Sequence, residues 1–207
     1  MITDYLITCF GVYFFFQLFT CDLEGRQKSI RLWSYVFLFI GLSSFLGGTV
    51  HGFKLIMSSE LKTFLWRFMA YVIGLVSLFV VLGTSISSVK RPVRDIIWGL
   101  FFAKFLFYIY WMSTHHEFKY VIMDYAPSML FILALQVYAK MKLKSESAIW
   151  IISGVVVTFF AAAVQRSNYD FHHYFNHNDL YHLIQISGLY LFYRGVRLLK
   201  DLETKTS

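Results

Sequence analysis

Stretches of about 18 or more mostly apolar residues recur along this chain, and only short connections separate them. That alternation constrains the fold more than any other feature. A segment of that length crosses roughly 30 Å of hydrocarbon as an α-helix, the form that satisfies its own backbone hydrogen bonds. Seven such spans are expected, at 3–21, 32–56, 62–86, 95–113, 119–141, 147–165 and 178–198. They leave only short connections within the 207 residues, so residues 1–207 read as one domain: an all-α membrane protein, a seven-transmembrane helix bundle. The composition agrees, with 57% hydrophobic residues, 15% charged ones and a mean hydropathy of +0.57. Short connections predict that consecutive helices lie antiparallel side by side.

The net charge of +7 points to membrane lipid and not to nucleic acid, because the basic residues sit in the connections. Arg26, Lys28 and Arg31, then Lys90, Arg91 and Arg94, then Lys140, Lys142 and Lys144 occupy alternate connections, and the tail adds Arg194, Arg197, Lys200 and Lys205. The positive-inside rule then predicts an outer N-terminus and a cytoplasmic C-terminus. Trp33, Trp66, Trp98, Trp111 and Trp150 fall near span ends, where interfacial anchors are expected. Cys9 and Cys21 stand about 18 Å apart on one helix, too far for a disulfide. The first span lacks a basic leader segment and a small-residue cleavage site, so it is expected to stay in the protein.

Under this topology His51, His115, His116, His172, His173, His177 and His182 all gather at the outer end. Span seven opens with Asn178, Asp179, His182 and Gln185 on one face, a polar stripe entering an apolar helix. Asn178 or Asp179 also suits the helix cap, whereas His182 and Gln185 lie too deep for that role. Span two aligns Ser44, Gly48 and His51, with Gly48 and Gly52 as a small-residue pair for close packing. His51 is expected to face the interior. Asp124, one turn before Pro127, is a carboxylate inside a span and should face protein. Its expected partner is Arg67 by depth, with Lys104 as the deeper choice. His173 and His177 have the i, i+4 spacing of metal ligands on a helix, while His115 and His116 read as solvated.

A histidine late in span two and a histidine motif opening span seven resemble the CREST superfamily, which includes alkaline ceramidases and the progestin and adipoQ receptors. The resemblance covers the whole chain in topology and a few residues in motif. It implies a zinc ion held by one histidine of span two and an His-x-x-x-His of span seven. His51 takes the first position and His182 the last, but Asn178 stands where the middle histidine would be, so His177 or His173 has to replace it. Gly47 stands where a serine is implied, with Ser44 nearly a turn earlier, and span three carries Arg67 in place of an acid.

These readings converge on a zinc-dependent intramembrane hydrolase of a lipid amide or ester. The metal is expected on His51, His177 and His182 with water at the open position. Asp124 or Asp179 would act as general base, and Ser44 would stabilise the oxyanion. Asn178, Gln185, Arg67 and His173 would complete the polar surroundings. A cavity binding a lipid or small ligand without catalysis is the alternative from another class. Haem held by His51 and His182 is a third.

Overall fold

A computed structural model describes residues 2–25, 27–167, 170, 172 and 176–202, the side chains of 21–25 excepted. It is all-helical: α1 (Ile2–Gly25), α2 (Lys28–Phe53), α3 (Ser59–Ser88), α4 (Val93–Thr114), α5 (Phe118–Lys142), α6 (Ser147–Arg166) and α7 (His177–Val196). The helix positions agree with the seven expected segments within a few residues; the largest shifts are the end of α1, which runs on to Gly25, and α2, which begins at Lys28 and gives way to a turn after Phe53. Helices α1 to α6 are each long and apolar enough to cross a membrane, which makes this a multi-pass membrane protein. The polar residues entering α7 set it apart in composition, although it runs 20 residues like α6.

Helices α1, α2, α3, α5, α6 and α7 pack in that order into a ring that closes between α7 and α1, while α4 leans on α3 from outside. Side-by-side packing of consecutive helices therefore holds up to α4, and α5 then packs against α3 and α6. The 30-residue α3 is the hub, and only Ile97, Tyr108 and Met112 of α4 are buried. The core runs down the ring axis through Leu18, Phe37, Val81, Ile132, Ile151 and Leu189, all fully buried.

Close approaches fix the ring. A Cβ on Gly11 would stand 2.8 Å from the Phe37 carbonyl oxygen and 2.9 Å from the Gly41 Cα, so α1 and α2 meet backbone to backbone. Phe14 of α1 stacks on Tyr193 of α7 at 4.5 Å between ring centroids. Trp33 corrects the expectation of an interfacial anchor: it is 1% exposed, donates Nε1–H to Thr84 Oγ1 at 3.2 Å and fills the space that Gly83 leaves open.

The two ends of the bundle are finished differently. At the C-terminal end, Asp201 accepts from the Lys28 and Ser29 backbone N–H groups and from the Ser29 hydroxyl, so the segment after α7 caps α2. Its neighbour Leu202 donates its backbone N–H to the Ile86 carbonyl, tying the same segment to α3. At the N-terminal end meet the starts of α1, α3, α5 and α7 and the ends of α2, α4 and α6, and with them His51, His115, His116, His177 and His182.

Candidate functional site

A cavity of about 550 Å³ opens at that N-terminal end. One side is polar: Asp4 from α1, Ser44, His51 and Lys54 from α2 and its exit, and Asn178, Asp179 and His182 from α7. The opposite side is apolar, made by Trp66, Met69 and Ile73 of α3 and Phe118 of α5. Gln165 of α6 closes the rim by donating to Asn178 Oδ1 at 3.1 Å. Expected site residues His51, His182, Ser44, Asn178 and Asp179 thus share one wall system.

Local chemistry sets the α7 entry. Asn176 is the N-cap: its Oδ1 accepts from the Asn178 and Asp179 backbone N–H groups, and Asp179 Oδ2 accepts from the Asn176 N–H. The cap was expected at Asn178 or Asp179; it is a capping box in which Asp179 is the reciprocal partner. Thr3 donates its hydroxyl to Asp179 Oδ1 at 2.9 Å, and the Thr3 oxygen lies 2.8 Å from His182 Nδ1. A threonine hydroxyl has one proton. Once it is given to Asp179, Thr3 can only accept from the ring, so Nδ1 carries a proton. Nε2 then points at Asp4 Oδ1, 3.5 Å away.

Sequence reasoning did not find Asp4 or Thr3. An acid in the first turn of a helix reads as a favourable partner of the helix dipole. Its meeting with a residue 178 positions away has no local signal. The contact depends on α1 being held in register by the Gly11–Gly41 approach and by Tyr5, whose hydroxyl lies 3.2 Å from Thr49 Oγ1 of α2.

Other expected members are placed elsewhere. His177 turns to Asp170, with Nδ1 2.7 Å and its backbone N 3.0 Å from Asp170 Oδ1. Those two contacts hold the Asp170 carboxyl below its ordinary range, the backbone hydrogen bond most of all. Arg67 reaches Nε2 of His116 at 2.7 Å, not Asp124. Gln185 is buried one turn below His182, and its Oε1 has no partner among the described residues. His173 lies outside the described residues.

Asp124 also leaves this cavity. It pairs with Lys104 of α4, Nζ to Oδ1, and lines a second cavity of about 310 Å³ with Tyr108, Trp111 and Tyr120. The Lys104 ammonium also donates to Ser77 and Ser128 at 3.1 and 3.2 Å. The expectation that Asp124 joins His51 and His182 fails on helix rotation: residue 124 faces α3 and α4, away from α7.

For a metal, the His51–His177–His182 set does not fit, since Asp170 holds His177. Among the described residues no three His, Cys, Asp or Glu side chains already surround a point suited to an ion. His182 Nε2 and Asp4 Oδ1 stand 3.5 Å apart, an ion pair when the imidazole is protonated.

Fold and site together define a multi-pass helical membrane protein with a polar cavity at one end of its bundle. The family of unknown function DUF6962 matches residues 1–201, and the chain belongs to that family. No curated protein and no solved structure matches it.

Proposed function

We propose that the protein is a zinc-dependent intramembrane hydrolase of a lipid amide or ester, a divergent relative of the ceramidase-like CREST group. The observation that carries this reading is the oriented imidazole of His182: a carboxylate and a hydroxyl fix its tautomer and turn Nε2 into a half-polar, half-apolar cavity. Metal-bound histidines are oriented by such partners on their other nitrogen. His51 and His182 would hold the ion, which when bound supplies a hydroxide at neutral pH.

The protein's own groups divide the remaining work. Asp179, acting through Thr3, is a positioning residue. Ser44 would donate to a developing oxyanion, and Asp4, which lines the same cavity, would take the water's proton. Hydrolysis adds water across the acyl C–N or C–O bond and passes its proton to the leaving amine or alcohol. Trp66, Met69, Ile73 and Phe118 suit the acyl chain, and Lys54 and Asn178 the headgroup.

In the membrane, α7 makes the seventh crossing and the cavity faces outward, as the basic connections require. An impermeant thiol reagent should label a cysteine placed at Ser58 and miss one at Ser88 or Ser145; the reverse pattern would turn the cavity inward. Activity is tested by incubating purified protein in nanodiscs with N-acyl and O-acyl lipids and weighing released fatty acid by mass spectrometry. Release that falls at least about a hundredfold in His182→Ala is expected. Lipid that binds tightly but is never cleaved would leave a ligand-binding cavity as the better account.

A further inference from the structure

We propose that the slot between α4 and α5 binds an uncharged membrane lipid carrying a free hydroxyl, which donates to Oδ2 of Asp124. The slot is separate from the cavity of His51 and His182, and the inference does not rest on the hydrolase reading.

Packing makes the slot. Helices α4 and α5 both lie on α3 and do not pack along each other. Two ring contacts bridge them instead: Trp111 meets Tyr120 edge-on at 5.8 Å, and Phe101 meets Phe131 at 4.9 Å. Between those bridges lies the cavity of about 310 Å³. Its back is the ring of Tyr108, seated where Gly74 of α3 has no side chain; a Cβ there would fall 2.5 Å from the ring. Its mouth is Phe107 and Met123, 62% and 67% exposed on membrane-length apolar helices, so it opens sideways to the acyl chains.

One polar atom at this slot lacks a partner. Asp124 is 6% exposed, and its Oδ2 is buried with no donor among the described residues. The neighbouring groups have none to spare. The Lys104 ammonium gives its three protons to Asp124 Oδ1, Ser77 and Ser128. The Tyr108 hydroxyl gives its own to the Ala70 carbonyl at 2.8 Å. A buried carboxylate oxygen left in this way is costly, and a donor from outside the chain relieves it.

Charge and depth choose the donor. Lys104 and Asp124 already neutralise each other, so a charged head would enter as an unbalanced charge away from water. Asp124 also lies about 9 Å below the start of α5 at Phe118, deeper than a hydrated phosphate head. A hydroxyl is uncharged and carries the one proton that the oxygen lacks. Phe107, Trp111 and Met123 offer apolar surface to the lipid chains.

The probe is a dialkylglycerol with one free hydroxyl and a diazirine in one chain; its ether-linked chains offer no acyl bond to cut. The full chain in phosphatidylcholine nanodiscs is photolabelled, and the label is mapped by peptide mass spectrometry. Label on the segments holding Phe107 or Met123 is expected. Unlabelled dialkylglycerol should compete at roughly tenfold lower concentration than its O-methyl ether, which has the same chains and no proton to give. Met123→Trp should fill the mouth and abolish slot labelling without lowering the unfolding temperature. Lys104→Met combined with Asp124→Leu should keep the slot labelled while alcohol and ether compete equally.

Equal competition by alcohol and ether in wild type would overturn the proposal, leaving the slot to acyl chains and Oδ2 to a water molecule. Label confined to the cavity of His182 would overturn it too, as would slot labelling unchanged in Met123→Trp. A preference for the alcohol that survives in the double variant would show that Asp124 does not read the hydroxyl.

Discussion

Asp124 meets Lys104 at 2.5 Å, whereas Asp4 stands 3.5 Å from the imidazole of His182. Both acids are buried and both face a basic group from another helix, yet the pairs are built for opposite ends. All three donors of the Lys104 ammonium are used, on Asp124, Ser77 and Ser128, and the two serines bond each other at 2.8 Å. That cluster joins α3, α4 and α5 and fastens α4, a helix with few buried residues of its own. The pair at the other site is longer and faces a cavity. The closed pair fastens helices, whereas the open one borders a cavity.

The sharpest way to break the comparison is to open the closed pair. Lys104→Met leaves a carboxylate buried without its partner, with Asp124 Oδ2 already lacking a donor among the described residues. It should cost about 3–5 kcal/mol, read as a fall in thermal unfolding temperature in detergent. Adding Asp124→Leu should recover most of that loss. A single variant as stable as wild type would mean that the pair does not hold α4.

Gly11→Ala tests whether the open pair depends on the α1–α2 contact. The added Cβ would sit 2.8 Å from a backbone oxygen, so the helices must separate. A loss of about 1–3 kcal/mol is expected. Zinc retention should fall with it, because Thr3, which orients His182, rides on α1. Unchanged retention would show that Thr3 is not positioned by this contact.

Thr3→Val should barely move stability, by about 1 kcal/mol. It frees the His182 ring to turn, and zinc affinity should drop roughly 10- to 100-fold. Affinity lost without loss of fold is the signature of the open pair, and the same size of effect is not expected from Ser77→Ala.

The smallest effect lies outside both pairs. Hydrogen bonds from His177 depress the Asp170 carboxyl, so this contact adds stability above the ordinary carboxyl value near 3.9 and loses it as pH falls through the lower folded value. Hydrogen exchange at the His177 amide should therefore quicken below about pH 4, and Asp170→Asn should remove that dependence. Zinc retention in Asp170→Asn should match wild type, which separates His177 from the site.

Counting along the chain determined a good deal. Apolar length gave the helices and their near-final bounds, and depth at 1.5 Å per residue put the described histidines at one end of the bundle. The same counting brought Ser44, His51, Asn178, Asp179 and His182 to a common level, where one cavity now holds them. Rotation about each helix axis and the choice of non-sequential neighbours were decided only by packing. Arg67 matches Asp124 in depth, but the carboxylate faces α4, so Lys104 takes it. Trp33 lies near a helix end yet faces the ring, so it is core. Asp4 meets His182 because α1 closes the ring against α7, a contact between opposite ends of the chain that no stretch of sequence encodes by itself.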